Sequence, residues 1–301
     1  MFYKQKNLIQ RWWFDRGIRG ILGLPPLRLD EDGMGPAVLS QLQHKDVLMY
    51  LAAVKSFACR LPPAEVHVVD DGSLTNEDRA LLSDHIPELR FHALADFRLA
   101  GLPQGGTWER LIAIARLSET RYVIQLDADT LTLAPIPEVE AATRNGAAFT
   151  IGTWDQQQIE PMLERASEAK KHLAGDRPHV QVLAEANFSR LQNAATLRYV
   201  RGCSGFAGFS PGAGKLELMR ELSGRMQSLI GDRWLEWGSE QVMSNLVVAN
   251  QPDAIVLPHP EFADCERIRP GTTRFVHFIG TCRFRSGRYM RLVNEVAQSF
   301  I

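Results

Sequence analysis

"RYVIQLDADTLTL", residues 121–133, runs from a largely apolar stretch into two carboxylates one residue apart. Buried charge is costly, and two like charges this close repel unless a cation or a solvated turn separates them. The apolar run predicts a buried strand. Residues two apart on a strand point to one face, so Asp127 and Asp129 can share a hard divalent cation through oxygen. Solvated carboxylates at a strand end are the plainer alternative.

Upstream, strand and helix patterns alternate. "PAVLSQL" (36–42) reads as a strand, and "KDVLMYLAAVKSFACRL" (45–61) as a helix stopped by Pro62-Pro63. "AEVHVVDDGS" is a second strand ending in a turn, and Thr75 caps the helix of "TNEDRALLSDHI". A third strand (89–95), the loop "GLPQGG" and the helix "TWERLIAIARLSE" lead to the opening stretch, the fourth strand. This alternation predicts an α/β fold: a Rossmann-like, mostly parallel sheet flanked by helices in a single large domain.

The second half is less regular. "GAAFTIGTW" predicts a strand, and "DQQQIEPMLERASEAKKHLAG" a mostly exposed helix interrupted at Pro161. "RGCSGFAGFSPGAG" is glycine-rich. Helices follow in "GKLELMRELSGRMQSLI" and "WGSEQVMSNLVVAN". The chain closes with a strand, a basic loop and a helix in "RFVHFIGTCRFRSGRYMRLVNEVAQSF". Residues 150–200 carry no interpretable motif. Acceptor specificity is expected there.

The 301 residues are 45% hydrophobic and 23% charged, enough for a sizeable core, and the formal net charge of -1 argues against nucleic acid as a partner. Cys59, Cys203, Cys265 and Cys282 are scattered without a CxxC pair, suiting neither a zinc site nor a disulfide framework. With no membrane span and no signal-peptide pattern, a cytoplasmic setting is expected.

Ligands of open α/β sheets gather beyond the carboxyl ends of the strands. Asp70 and Asp71 stand at such an end, as do Asp127, Ala128 and Asp129. His277, in an apolar strand, precedes Gly280 and the cations Arg283, Arg285 and Arg288, a loop suited to an anionic diphosphate. Two competing motifs fail on spacing. "GFSPGAGKL" puts Ala213 where a phosphate loop needs its second glycine, and in "DADTL" Thr130 falls one residue early for an aspartyl-phosphatase.

Together these islands resemble the GT-A-fold, nucleotide-sugar-dependent glycosyltransferases, most of all the retaining branch with glycogenin and the lipopolysaccharide galactosyltransferases. "YVIQLDADTLTL" resembles that branch's "YLDxD" strand. Trp108-Glu109-Arg110-Leu111, with Arg110 seventeen residues before Asp127, resembles its "Y-A-R-L" helix. "GSEQVMSN" resembles its "DQDxxN", and "HFIGTCRF" its "HxxGxxKPW". The resemblance spans residues 36 to 290. It implies an enzyme that moves a hexose from a UDP-sugar, or another nucleoside-diphosphate sugar, to a glycan, lipid or protein acceptor.

Carried over, Asp127, Asp129 and His277 ligate Mn²⁺ (or Mg²⁺), Arg283 binds the diphosphate and Arg110 and Glu240 hold the donor sugar. Gln241 lies beneath the anomeric carbon. Ala128 and Gly280 belong to the donor-binding segments, and Asp70 and Asp71 to the nucleotide side. The implied halves are 35–135 for the nucleotide and 136–301 for the acceptor and the metal and diphosphate loop. Glu240 and Val242 depart from the family's two aspartates, and "RFR" from its "KPW". "VVDDGS" and "WGSEQ" resemble inverting GT-A families, in which Glu240 alone could act as base. A catalytically silent nucleotide-sugar-binding or scaffold protein is the alternative. A sugar-nucleotide pyrophosphorylase needs a glycine-rich loop that "SQLQHKD" lacks.

Residues 1–34 form a separate basic, Trp-rich arm. Leu8, Ile9, Trp12 and Trp13 recur at helical spacing beside Lys4, Lys6, Arg11, Arg16 and Arg19. Such a helix, over residues 4–22, can lie in a membrane interface, here on the inner face, or pack on its own domain.

Overall fold

Near-continuous apolar runs make strands that must be covered on both faces, and this decides the sheet. The structure, a computed structural model, describes residues 2–173, 177–280 and 282–299, with side chains from Ile9 onward. The expected helix end at Ala174-Gly175, Thr281 of the "HFIGTCRF" segment, Phe300 of the closing segment and the side chains of Lys4, Lys6 and Leu8 lie outside the described residues.

The chain begins with α1 (Phe2–Gly17), β1 (Ala37–Leu42), α2 (Val47–Ala58), β2 (Glu65–Asp70), α3 (Asn76–His85), β3 (Arg90–Ala93), α4 (Trp108–Leu117) and β4 (Val123–Leu126). It continues with β5 (Thr130–Thr132), α5 (Pro137–Asn145), β6 (Phe149–Gly152), β7 (Glu160–Pro161), α6 (Met162–Lys171), α7 (Val180–Asn187), β8 (Arg198–Tyr199) and β9 (Gly202–Phe209). Last come α8 (Lys215–Ile230), α9 (Ser239–Ala249), β10 (Ile255–Leu257), β11 (Phe262–Asp264), β12 (Phe275–His277) and α10 (Arg288–Gln298). The strand order in the seven-stranded sheet is β10-β6-β9-β4-β1-β2-β3. The β1–β2, β2–β3 and β10–β6 pairs are parallel, and β6–β9 is antiparallel. The expected mixed, mostly parallel sheet with flanking helices is present.

Two compact units can be distinguished. The first comprises the chain up to Ala93, Gln125–Glu140 and the chain from His259 onward; the second comprises Leu94–Ile124 and Ala141–Pro258. Each is assembled from separate segments, so no linker shows in the sequence.

In the first unit, β1 and β2 pair from Ala37 opposite Glu65 to Leu42 opposite Asp70. Helix α2 is apolar almost all round and buried along nearly its whole length, as a core helix must be. It packs on β5, and Ser56 Oγ accepts the Thr132 N–H at 3.1 Å. Lys55 on the same helix donates to the Pro25 carbonyl, and burial pushes its ammonium down to about 8. Thr75 caps α3 as expected, in a reciprocal capping box with Asp78. A three-stranded sheet, β11-β12-β5, completes the unit.

The opening stretch is therefore not one strand. It breaks at Asp127-Ala128-Asp129, where the Asp127 carbonyl accepts the Thr130 N–H (3.2 Å) and hydroxyl (2.8 Å). β4 lies in the large sheet and β5 in the small one.

In the second unit, the glycine-rich "GCSGFAGF" forms β9, a strand its composition hid. A Cβ at Gly202 would collide with Thr150, and one at Gly208 with Phe149, so these glycines let β9 close on β6. α6 starts only after Pro161 and, on an otherwise largely exposed helix, buries Met162, Arg165, Ala166 and Ala169. Helix α7, within the uninterpreted region, packs on α6, α8 and α9.

Candidate functional site

The turn between β4 and β5 delivers two carboxylates, and β12 delivers the imidazole. β12 runs antiparallel to β5 with His277 opposite Thr130, and the Phe278 N–H donates to the Asp129 carbonyl at 2.7 Å. Backbone pairing alone thus brings residues far apart in sequence together. His277 Nε2 stands 3.2 Å from Asp129 Oδ1, both residues being buried. Asp127, Asp129 and His277 each present one ligand atom, all within 4.8 Å of one another. Same-face strand geometry is not how the aspartates meet, because they occupy a turn.

Arg283 completes the cluster. Its Nη2 pairs with Asp129 Oδ2, and its Nε donates to the Phe278 carbonyl at 3.1 Å. The loop that carries it is tied by a disulfide from Cys265 to Cys282, with Cα atoms 6.0 Å apart. This corrects the expectation that the spacing of the four cysteines suits no disulfide. The parallel β11–β12 pairing, extended by Cys265 N–H to the His277 carbonyl at 3.1 Å, brings Cys265 beneath the loop, which spacing could not disclose. Neither Cys59 nor Cys203 takes part in a disulfide.

Burial opposes the Asp129 charge, yet His277 and Arg283 outweigh it and hold the carboxyl down at about 2. Tyr289, on α10, lies beneath: its hydroxyl reaches the carbonyls of Ala128 (3.5 Å) and Thr130 (3.4 Å). Burial, then the Asp129 charge, raise its phenol well above the ordinary value. No motif pointed to Tyr289; its only signal was an aromatic on the apolar side of the last helix.

A second constellation lies in the second unit. Arg110 Nη2 is 3.4 Å from Glu240 Oε1, both buried. Glu240 Oε2 also accepts the Thr107 hydroxyl at 2.9 Å. Gly105, Gly106 and Thr107 all take left-handed backbone conformations, with φ of 79°, 56° and 76°. For threonine this costs on the order of 1–3 kcal/mol, a strain characteristic of functional turns. No motif hinted at Thr107. Gln241, in the first turn of α9, donates to the Gly202 carbonyl at 3.2 Å and accepts from Ser204 Oγ at 3.4 Å. Trp234 is core, whereas Trp237 is 74% exposed beside His179.

The remaining sequence candidates make contacts of their own. Asp70 pairs with Arg79 and accepts the Gly72 N–H at 2.8 Å; Asp71 accepts from Ser73 N–H (3.0 Å) and hydroxyl (2.6 Å). Both carboxylates organise the turn after β2, and Asp71 is the more accessible. Ala128 contributes backbone to the Asp127–Asp129 turn. Gly280 shows no close approach that would require glycine.

Two carboxylate oxygens and an imidazole nitrogen form a donor set that fits a divalent metal ion. Ligands of such an ion sit roughly 3–4.5 Å apart, so the cluster fits with little movement.

The fold is that of the GT-A glycosyltransferases. The bifunctional glycosyltransferase WbbM matches over 90% of this chain at 12% identity and a TM-score of 0.55, with the chain spanning 51% of WbbM. The galactosyltransferase LgtC, solved with donor and acceptor sugar analogs, matches over 87% of this chain and 95% of its own, at 14% identity and a TM-score of 0.50. An active-site mutant of LgtC matches equally. No protein-family model and no curated protein sequence matches the chain.

Proposed function

We propose that this chain is a metal-dependent glycosyltransferase that takes a sugar from a UDP-linked donor, or another nucleoside-diphosphate sugar, and retains its anomeric configuration. The acceptor is a glycan, lipid or protein. What carries the reading is the meeting of Asp127, Asp129, His277 and Arg283 in a chain of this fold.

In this reading Asp127, Asp129 and His277 hold Mn²⁺, with Mg²⁺ the alternative. The bound ion offsets the charge that builds on the departing diphosphate. Arg283 exchanges Asp129 for the diphosphate oxygens and donates charge-assisted hydrogen bonds to them. Gly280 leaves the approach to that loop open, and Asp71 and Asp70 border the nucleotide. Arg110 and Glu240 act as one pair on the donor sugar. Gln241 faces the anomeric carbon and stabilises its positive charge. Glu240 is buried against Arg110 and Thr107. That favours retention, in which the leaving phosphate oxygen takes the acceptor proton and no protein base is needed.

Turnover of a panel of nucleoside-diphosphate sugars with Mn²⁺ or EDTA tests the proposal, and NMR of the product anomer tests retention. Full activity in EDTA would sink the metal role. The altered Val242 and "RFR" positions favour a second reading, a silent nucleotide-sugar-binding protein; UDP and Mn²⁺ binding without turnover on any donor would support it.

The place of action that goes with this proposal is the cytoplasm, on the inner face of a membrane, with contact through residues 4–22. Among the described residues no helix is long and apolar enough to cross a membrane. The Cys265–Cys282 bond favours an oxidising compartment instead. Counting free thiols in protein taken directly from cells decides between them.

A further inference from the structure

From Ile9 onward, where its side chains are described, helix α1 has two apolar faces, and one of them packs on the fold. Phe14 and Ile18 are buried; the Phe14 ring lies 4.6 Å from that of Tyr289 and 5.2 Å from that of Phe284. Asn294 donates to the Gly17 carbonyl at 3.1 Å, fixing the end of the helix on α10. Arg11 is taken up internally, by Asp46 at 3.0 Å and Asp15 at 3.4 Å.

Ile9, Trp12, Trp13 and Arg16 follow the i, i+3, i+4, i+7 spacing of a single helix face. They form the outer face: Ile9 is 59% exposed, Trp12 56% and Trp13 60%. The two indoles meet edge to face at 5.1 Å, and the Arg16 guanidinium lies 5.7 Å over the Trp12 ring. Arg16 and the exposed Arg19 form no ion pair among the described residues. Paired tryptophans flanked by such cations match the headgroup zone of an anionic bilayer, where indoles partition and arginines meet phosphates. A second copy of this chain fits less well, because a two-fold contact through this face would set the arginines of both copies against each other.

We propose that α1 docks the protein on an anionic bilayer, with Ile9, Trp12 and Trp13 entering the headgroup region and Arg16 and Arg19 contacting lipid phosphates. Trp13 and Arg283 line one cavity of about 150 Å³ together with Phe284, Tyr289 and Met290, so docking brings the Arg283 loop to the membrane. A lipid-anchored acceptor is then the substrate class that fits, a step that rests on the glycosyltransferase reading.

Co-sedimentation of the full chain with vesicles tests docking without any turnover, so its failure leaves glycosyl transfer standing. Vesicles of phosphatidylcholine mixed with phosphatidylglycerol should bind it at least about tenfold better than phosphatidylcholine alone. Trp12→Ser/Trp13→Ser should lose binding on both, and Arg16→Glu/Arg19→Glu should lose the anionic preference. Unchanged melting temperatures would confirm that both variants fold. The proposal is overturned if the wild type stays in solution, or if the tryptophan variant binds as well. A dimer in light scattering that Trp12→Ser/Trp13→Ser splits, without vesicle binding, would overturn it in favour of self-association.

Discussion

His277 Nε2 stands 3.2 Å from Asp129 Oδ1 because β12 and β5 pair with His277 opposite Thr130. Asp129 is thereby the common partner of an imidazole and of the Arg283 guanidinium. If the cluster holds Mn²⁺, His277→Ala and Asp129→Ala should each weaken binding at least about tenfold, with Asp129→Ala the more damaging because two neighbours lose their partner. Calorimetric titration with Mn²⁺ measures this directly, and equal affinity in both variants and the wild type would remove the assignment.

The same carboxylate sets an acid limit on the metal-free protein. Its folded value, about 2, lies below the ordinary 3.8. A depressed acid contributes stability that is present above the ordinary value and is lost as pH falls from there through about 2. The shift corresponds to about 2 kcal/mol at neutral pH. Urea unfolding of the wild type and Asp129→Asn should therefore differ most above pH 4. The difference should shrink steadily below it.

Two neighbouring tryptophans should separate stability from binding. Trp234 is fully buried, and its Nε1 donates to Ser223 Oγ at 2.8 Å. Trp234→Ala should cost about 3–5 kcal/mol, read as a large fall in melting temperature. Trp237→Ala should change stability by less than about 0.5 kcal/mol. If the exposed ring is a platform for a sugar, that variant raises KM for the acceptor.

The Cys265–Cys282 bond closes a 17-residue separation around the segment that bears His277. Losing it in Cys265→Ser/Cys282→Ser should cost about 3 kcal/mol from the freed entropy of the unfolded chain. Because Cys282 adjoins Arg283, Mn²⁺ affinity should fall as well. Melting curves and the same calorimetry test both effects, and a variant as stable as the wild type would deny the bond a structural role.

Much of the sheet was legible because buried parallel strands are uninterrupted apolar runs, and the capped or Pro-stopped helices between them announce their ends. β9 was not, since its glycines answer to Thr150 and Phe149, contacts that exist only after folding. The carboxylate pair, the histidine and the arginine loop were visible as residue types. Thr107 and Tyr289 were not, because local pattern does not separate a strained turn from an ordinary loop, or an aromatic beneath a distant carbonyl from any other aromatic on a helix's apolar side.

By itself the sequence determined the alternating α/β pattern and the chemistry available at Asp127, Asp129, His277 and Arg283, because hydrophobic period and side-chain type are local properties. Only tertiary structure decided that the opening stretch turns at its aspartates, and that β12 pairs with β5 to bring His277 against Asp129. It also decided that Cys265 bonds Cys282 and that α1 turns Trp12 and Trp13 outward. Each depends on which distant backbone supplies the missing hydrogen bonds, and no local pattern records that choice.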